Sequence, residues 1–258
     1  MTKFFRTFAL RLTHLITHKT MKKVILFFFI ALSFCTLAAQ NLQIHYDLGR
    51  NLYPHSEPDR QKVTLTLEQF SPDNYGSWFY FVDLDLKSDD MTCAYAEISR
   101  EFNLKKQSPF AAHIEYDGGL NLGGSFQHAG LAGVAYNWHS SNFDKTASVQ
   151  LMYKHCFRND FHGDVEGVQL TGVWGLQFLK GKMTFSGFID IWNGFIPDWN
   201  VDGSQKKGIV ILAEPQLWYN FSSKFSAGTE WEISNNFIYT ATTGSFFLNP
   251  TLALKFNF

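Results

Sequence analysis

"TLALKFNF", residues 251–258, ends the chain. Leu252, Leu254, Phe256 and Phe258 alternate with Ala253, Lys255 and Asn257, the period of two that marks a strand with one apolar face. Termini are ordinarily polar and frayed unless they are tied into structure. An apolar strand closing on an aromatic therefore has two readings. One is the last core strand of a soluble β protein. The other is the last strand of a transmembrane barrel, whose terminal Phe258 is presented to the outer-membrane assembly machinery. The rest of the chain separates them.

The opposite end carries an export signal. From Met21 the chain reads "MKKVILFFFIALSFCTLAAQ": Lys22 and Lys23, an apolar run from Val24 to Phe34, then the small-residue exit Leu37-Ala38-Ala39. Residues 21–39 are expected to be a signal peptide, cut near Ala39–Gln40. The apolar run is about 11 residues, short of the roughly 20 that a spanning helix needs. Phe34 is too large for a lipoprotein processing box, so Cys35 is not read as a lipid anchor. Residues 1–20 are basic, without an acid, and read as an upstream extension from a start placed too early.

All 23 acidic residues lie after Ala39, whereas six of the 22 basic ones (Lys3, Arg6, Arg11, Lys19, Lys22, Lys23) lie before it. The 219-residue remainder thus holds 16 basic against 23 acidic residues, a net charge of −7 with His neutral. Nothing in it resembles the clustered basic surface that nucleic acid requires. No apolar run approaches 18 residues, which excludes helical spans but not barrel strands, whose hydrophobicity is alternating and weak per segment.

From residue 40 onward, period-two segments of about ten residues recur between turn residues. They cover 42–49, 62–70, 77–86, 92–101, 109–117, 126–138, 146–155, 167–178, 183–192, 208–219, 225–234 and 248–258. Residues 40–258 are therefore expected to form one all-β unit, a transmembrane antiparallel β-barrel of about 12 strands. The connections alternate by parity. "SPDNYG", "FNLKKQS", "HSSNFD", "LKGK" and "NFSSK" are short; most of the others, such as "RNLYPHSEPDR" and "NGFIPDWNVDGSQKKG", are much longer. Outer-membrane barrels have short periplasmic turns and longer outside loops, and a soluble sandwich has no reason to alternate this way. Both termini then fall on the periplasmic side.

The faces carry the same message. In 77–86, Trp78, Tyr80, Val82, Leu84 and Leu86 oppose Phe79, Phe81, Asp83 and Asp85. One face is apolar; the other mixes acids, hydroxyls and aromatics. A dry core would have to bury those acids at several kcal/mol each, whereas a wet lumen leaves them hydrated. Trp78, Tyr116, Trp138, Tyr153 and Tyr219 suit interfacial girdles on the apolar face. With that face to lipid, the lumen holds Asp47, Glu68, Asp83, Asp85, Glu97, Glu115, Asp190, Glu214, Glu230 and Glu232. It also holds His45, His113, Lys154 and Lys255, and the aromatics Phe79, Phe81, Tyr95, Phe188, Trp192 and Trp218. An acidic wall favours cations and polar neutral solutes. Aromatic rings beside hydrogen-bonding groups suit a flat heterocycle joined to a polyol. The candidate solute-binding residues are Phe79, Phe81, Asp83, Tyr95, Glu97, Glu115, Asp190, Trp192, Glu214, Trp218 and Glu230.

"GSWFYFVDLDL" (76–86) followed by "AYAEISREFNL" (94–104) resembles the nucleoside-specific channel-forming (Tsx) family of outer-membrane proteins. The matching residues are Phe79, Tyr80 and Asp83, then Glu97, Ile98, Arg100 and Phe102. "GTEWEISNN" and the terminal "LKFNF" are also similar to that group and to related barrels. The resemblance implies a monomeric twelve-stranded barrel with a narrow solute-selective pore, and a nucleoside-like polar solute as partner. Residues 109–219 match it only in character.

Two other classes compete: a barrel enzyme acting on lipids, and a plugged structural or binding barrel. G-x-S-x-G, H-E-x-x-H and C-x-x-C are absent, and no cofactor motif or catalytic set is read. His139-Ser140-Ser141 falls in a short turn. His45 and Asp47 could form an acid–base pair in the lumen, without an identifiable nucleophile. His155 and His162, with Asp160 and Asp164, border an outside loop and read as solvated rather than metal-binding. The 193–207 segment, with Phe195, Ile196 and Trp199, could fold inward as a plug. Cys93 and Cys156 sit about three strand spacings of ~4.8 Å apart. That exceeds the ~7 Å Cα gap a disulfide tolerates, so they are expected to stay unpaired.

Overall fold

A computed structural model describes residues 40–56, 60–87, 90–106, 108–159, 163–197, 205–238 and 246–258. The signal-peptide and upstream-extension readings fall on residues 1–39, outside the described residues. Twelve antiparallel strands follow in order: β1 (Gln40–Asp47), β2 (Val63–Asp73), β3 (Gly76–Lys87), β4 (Asp90–Asn103), β5 (Phe110–Asn121) and β6 (Ala129–His139). The second half contains β7 (Lys145–Cys156), β8 (Val165–Phe178), β9 (Met183–Pro197), β10 (Gln205–Ala213 continued by Gln216–Asn220), β11 (Phe225–Asn235) and β12 (Phe246–Asn257). A one-turn helix, α1 (Gly49–Leu52), follows β1, and Gly124–Ser125 adds a two-residue stub beside β5. No described helix is long and apolar enough to cross a membrane.

Each strand pairs with its sequence neighbours, and β12 returns onto β1 from Asn41↔Asn257 to Asp47↔Thr251. The sheet is thus a closed ring. Closure leaves no strand edge unpaired, the condition for a β structure to lie in hydrocarbon. All twelve segments read from the sequence have a counterpart. Most of the observed strands are longer, although β6 starts only at Ala129 and β1 keeps its expected length; β9 and β10 pair as far as Pro197↔Gln205. Most of the 193–207 segment expected to be a loop is therefore ladder. The side chains of Phe195 and Ile196, and all of Trp199, lie outside the described residues, so the plug expected there has no description.

β10 is interrupted at Glu214–Pro215 because proline has no N–H to give the ladder. Register nonetheless continues across the gap, since Ser186↔Gln216 and Asp190↔Leu212 keep the same offset. The Glu214 amide still donates to the Phe188 carbonyl, and the Pro215 carbonyl accepts from the Trp231 amide, both at 3.0 Å. Gly187, opposite the proline, has φ +148°, and a Cβ there would lie 2.4 Å from the Glu214 carbonyl oxygen. Only glycine permits that approach.

Burial runs opposite to that of a soluble protein. Among the described residues, sixteen of the twenty-five buried side chains are polar or charged. They include Gln43, His45, Asp47, His113, Asp117, Gln169, Thr171 and Asn249. Leu42, Ile44, Ile98, Ile114, Leu151, Leu170, Leu252, Leu254 and Phe256 are exposed on the outer face, as are the girdle candidates Trp78, Tyr116, Trp138, Tyr153 and Tyr219. The largest apolar cluster inside is small, Ala129, Leu131 and Met152 with Cys156 beside it. Cys93 and Cys156 are both free.

An arginine on the middle of the outer face should cost far more than one at its edge. Leu151→Arg, seventh residue of β7, is expected to destabilise the barrel by about 2–4 kcal/mol, and Tyr219→Arg near the short-turn rim by about 0–1 kcal/mol. Unfolding titrations in lipid vesicles measure both.

Candidate lumen site

Strand parity decides which side chains meet in the lumen. Register pairs Asp83 with Thr66 and Tyr95, Glu97 with Phe81 and Asp117, Asp190 with Thr171, and Gln216 with Glu230. Phe79, Phe81, Asp83, Tyr95, Glu97, Glu115, Asp190, Trp192, Glu214, Trp218 and Glu230 accordingly all point inward. The chemistry they form is concentrated on two walls.

On the wall made by β4 to β9, the Tyr95 hydroxyl donates to Glu97 at 2.8 Å. His113 sits between Glu101 (3.3 Å) and Glu115 (3.2 Å), and the Asn137 amide donates to Glu101 at 2.6 Å. Lys154 reaches Asp117 at 3.3 Å and Gln169 at 2.7 Å, with its ammonium 4.9 Å from the centre of the Trp192 ring. The Thr171 hydroxyl donates to Asp190. On the wall made by β1 to β3 and β10 to β12, Thr66 donates to Asp83 (2.5 Å) and Thr64 to Asp85 (2.6 Å). Gln216 donates to Glu230 (2.6 Å), and Lys255 lies 3.9 Å from the centre of the Trp218 ring. Glu214 is within electrostatic reach of Glu230, Glu232, Asp83 and Glu97.

His45 does not pair with Asp47. It bonds Thr251 (3.1 Å) and Gln43 (3.0 Å), while Asp47 takes the Gly49 amide (2.6 Å) and Arg60 (2.9 Å). Two residues apart on one face, each finds other partners: His45 on its own strand and on β12, and Asp47 in the following turn and the β1–β2 connection. Trp218 is fully buried under Lys255 and so presents no ring face to the lumen. The accessible aromatic surface is instead a continuous run, Phe79–Phe81–Tyr95–Phe126, with ring centres 6.2, 6.1 and 6.2 Å apart.

At the long-loop end, Arg60, from the β1–β2 connection, folds onto the wall formed by β1, β12 and β11. Its guanidinium forks onto Glu232 (3.1 and 3.0 Å) and bonds Asp47 (2.9 Å). Burial works against its charge, but the carboxylates of Glu232 and Asp47 outweigh this and hold the group above the usual arginine range. Asn249 donates to the same Glu232 at 3.0 Å. This latch was not legible: Arg60 sits in a polar loop, and nothing in the loop's pattern says that it folds inward. Asp117 and Glu101 were also missed, although their parity with Glu115 and Glu97 places them inside.

The motif residues divide between faces. Glu97 faces the lumen, whereas Ile98, Arg100 and Phe102 face out. Arg100 is held between Trp78 (5.1 Å) and Phe102 (4.9 Å) and forks onto Asp73 at 2.9 and 3.0 Å. This places a charge at the short-turn rim of the outer face with its aliphatic stem covered.

The other candidates are local. His139 bonds the Ser140 carbonyl (2.9 Å) and stacks on Phe143, while Ser140 closes the turn onto Asp144. The Ser140 and Asn142 hydrogen bonds hold the exposed Asp144 carboxyl below its usual range. His155 pairs with Glu166 at 2.7 Å on the outer rim, and Asp160 and His162 lie outside the described residues.

A closed, inside-out barrel with an acid-lined interior defines the chain as a protein of the outer-membrane β-barrel class. Residues 39–258 match the family model described as "Domain of unknown function (DUF5020)", and the chain belongs to that family. No curated protein matches the sequence. Among solved structures, the NanC porin superposes with a TM-score of 0.54 at 9% identity, over 84% of this chain and 98% of that one. LpxR from Salmonella typhimurium gives 0.44 at 9% identity, over 86% and 100%. OmpT of Vibrio cholerae gives 0.40 at 8% identity, over 77% and 65%. At these identities the first similarity shows a shared fold.

Replacing Arg60 with Gln removes charged hydrogen bonds worth about 1.5–3 kcal/mol each. Limited proteolysis should then cut the 48–62 loop at least several-fold faster than in the parent, with the barrel strands still protected.

Proposed function

We propose that the protein is a passive outer-membrane channel for small cationic and polar neutral solutes, with nucleoside-like solutes the expected class. The observation that carries this is the inward face. Carboxylates at Asp47, Glu68, Asp83, Asp85, Glu97, Glu101, Glu115, Asp117, Asp190, Glu214, Glu230 and Glu232 are met, among the described residues, by Lys154, Lys255 and Arg60. An excess of fixed negative charge in a narrow, low-dielectric passage raises the local concentration of cations and repels anions. The barrel layout shared with a structure described as a porin supports the same reading, as does the signal peptide expected from the sequence. The Phe79–Phe81–Tyr95 run offers a stacking surface next to the carboxylate and amide acceptors that a ribose would use.

Single-channel recordings in planar bilayers test this. The purified barrel should conduct, and millimolar nucleoside should block the current. The double substitution Phe79→Ala, Phe81→Ala should raise the half-blocking concentration about tenfold, since each stacked base contributes ~1–3 kcal/mol. Absence of conductance would sink the channel reading, and block unchanged by the substitution would remove the stacking role.

A second reading rests on one rim contact. Ser125 Oγ lies 2.5 Å from His128 Nε2, and His128 Nδ1 meets the Tyr116 hydroxyl, in an open cavity of about 440 Å³ lined also by Phe126, Phe157 and Arg158. A serine held by an imidazole that a third group orients is the arrangement of an activated nucleophile, here at the long-loop rim. Hydrolysis of an ester lipid that disappears in both Ser125→Ala and His128→Ala would favour this enzyme reading.

A further inference from the structure

We infer that Glu97, Glu115 and Asp117 form a divalent-cation site in the barrel wall. One carboxylate oxygen from each lies within 4.8 Å of the other two. Oxygens this close can share one hard divalent cation such as calcium, which binds them at about 2.3–2.6 Å with water filling the remaining positions.

The second observation is an orphaned atom. Asp117 is 5% exposed, and its Oδ1 is enclosed with no hydrogen-bond partner. Its other oxygen is taken by Lys154. Glu97 and Glu115 are oriented in the same way, each from behind by one donor, Tyr95 and His113. Outer partners of this kind fix ligands in metal sites. The neighbouring strand cannot supply the missing donors. Asp117 faces Ala129 and Glu115 faces Leu131 across the β5–β6 ladder. The three carboxylates share this patch with the Lys154 ammonium on Asp117 and the His113 imidazole on Glu115. All ligands are oxygens, which selects a hard cation over zinc or copper.

The site lies in the lumen on which the channel reading rests, but binding does not require conduction, so the two can fail separately. Terbium luminescence on the folded chain in detergent, excited through Tyr95 and the lumen tryptophans, reads the site directly. Wild type should show a saturable signal displaced by calcium. Asp117→Asn and Glu97→Gln should each weaken binding about tenfold or more, while Asp85→Asn, farther along the neighbouring strand β3 and outside the cluster, leaves it unchanged. Circular dichroism shows whether each variant keeps its sheet. No saturable signal from folded wild type, or undiminished binding by both folded variants, overturns the site. Conductance without ion binding would leave the channel reading standing alone; ion binding without conductance would leave only the site.

Discussion

A bilayer offers no water to an unpaired N–H or C=O, so a strand can cross it only if its whole backbone is bonded to its neighbours. In this chain that condition is met by the return of β12 onto β1, from Asn41↔Asn257 to Asp47↔Thr251. Everything else depends on this pairing. Once the sheet is a ring, strict alternation gives every strand one lipid face and one lumen face. Leu252, Leu254 and Phe256 on the first are then matched by Thr251, Ala253 and Lys255 on the second. Where the ladder falters, nearby groups complete it. The gap in the β11–β12 ladder near Pro250 is bridged by Thr229 donating to the Thr251 carbonyl and by the Glu230 amide donating to Thr251 Oγ1.

The ring forces a polar interior, and the polar interior is acidic. Such a wall is tolerated because nearly every carboxylate has a donor within reach, from Thr64, Thr66, Tyr95, Asn137, Thr171, Gln216 or one of three cations. Arg60 turns a loop into part of the same network, linking the long-loop end of β1 to that of β11. The two acids it joins hold its guanidinium in place, so the loop's position and the lumen's electrostatics are one interaction. Asp117 is the exception that keeps an enclosed oxygen without a donor.

The fold was legible because alternation is a local signal. Twelve segments, their order, the short turns and the inward acids all follow from period two in residues that lie next to one another. What escaped depends on non-local geometry. Strands β9 and β10 run past Trp192 and Gly208 because the hairpin continues above the lipid belt, where no hydrophobic pattern is needed. Arg60 and Phe126 lie in connections, and only the folded ring brings Phe126 beside Tyr95. Trp218 has the right parity for the lumen, yet Lys255 covers it, a contact between strands that are neighbours of β11 but not of each other. Arg100 sits in the stretch that carries the family resemblance, but its parity turns it to the outer face. That motif therefore combines a lumen acid with a lipid-side anchor.

On the proposed channel function, fixed carboxylates rather than pore width alone decide what enters. A reversal potential in a tenfold KCl gradient across a planar bilayer measures this without naming a solute. A lumen with these acids and these three cations should give a potential whose sign shows potassium preferred over chloride, shrinking as ionic strength rises and screening shortens. A potential of chloride-preferring sign in an open, conducting barrel would contradict it.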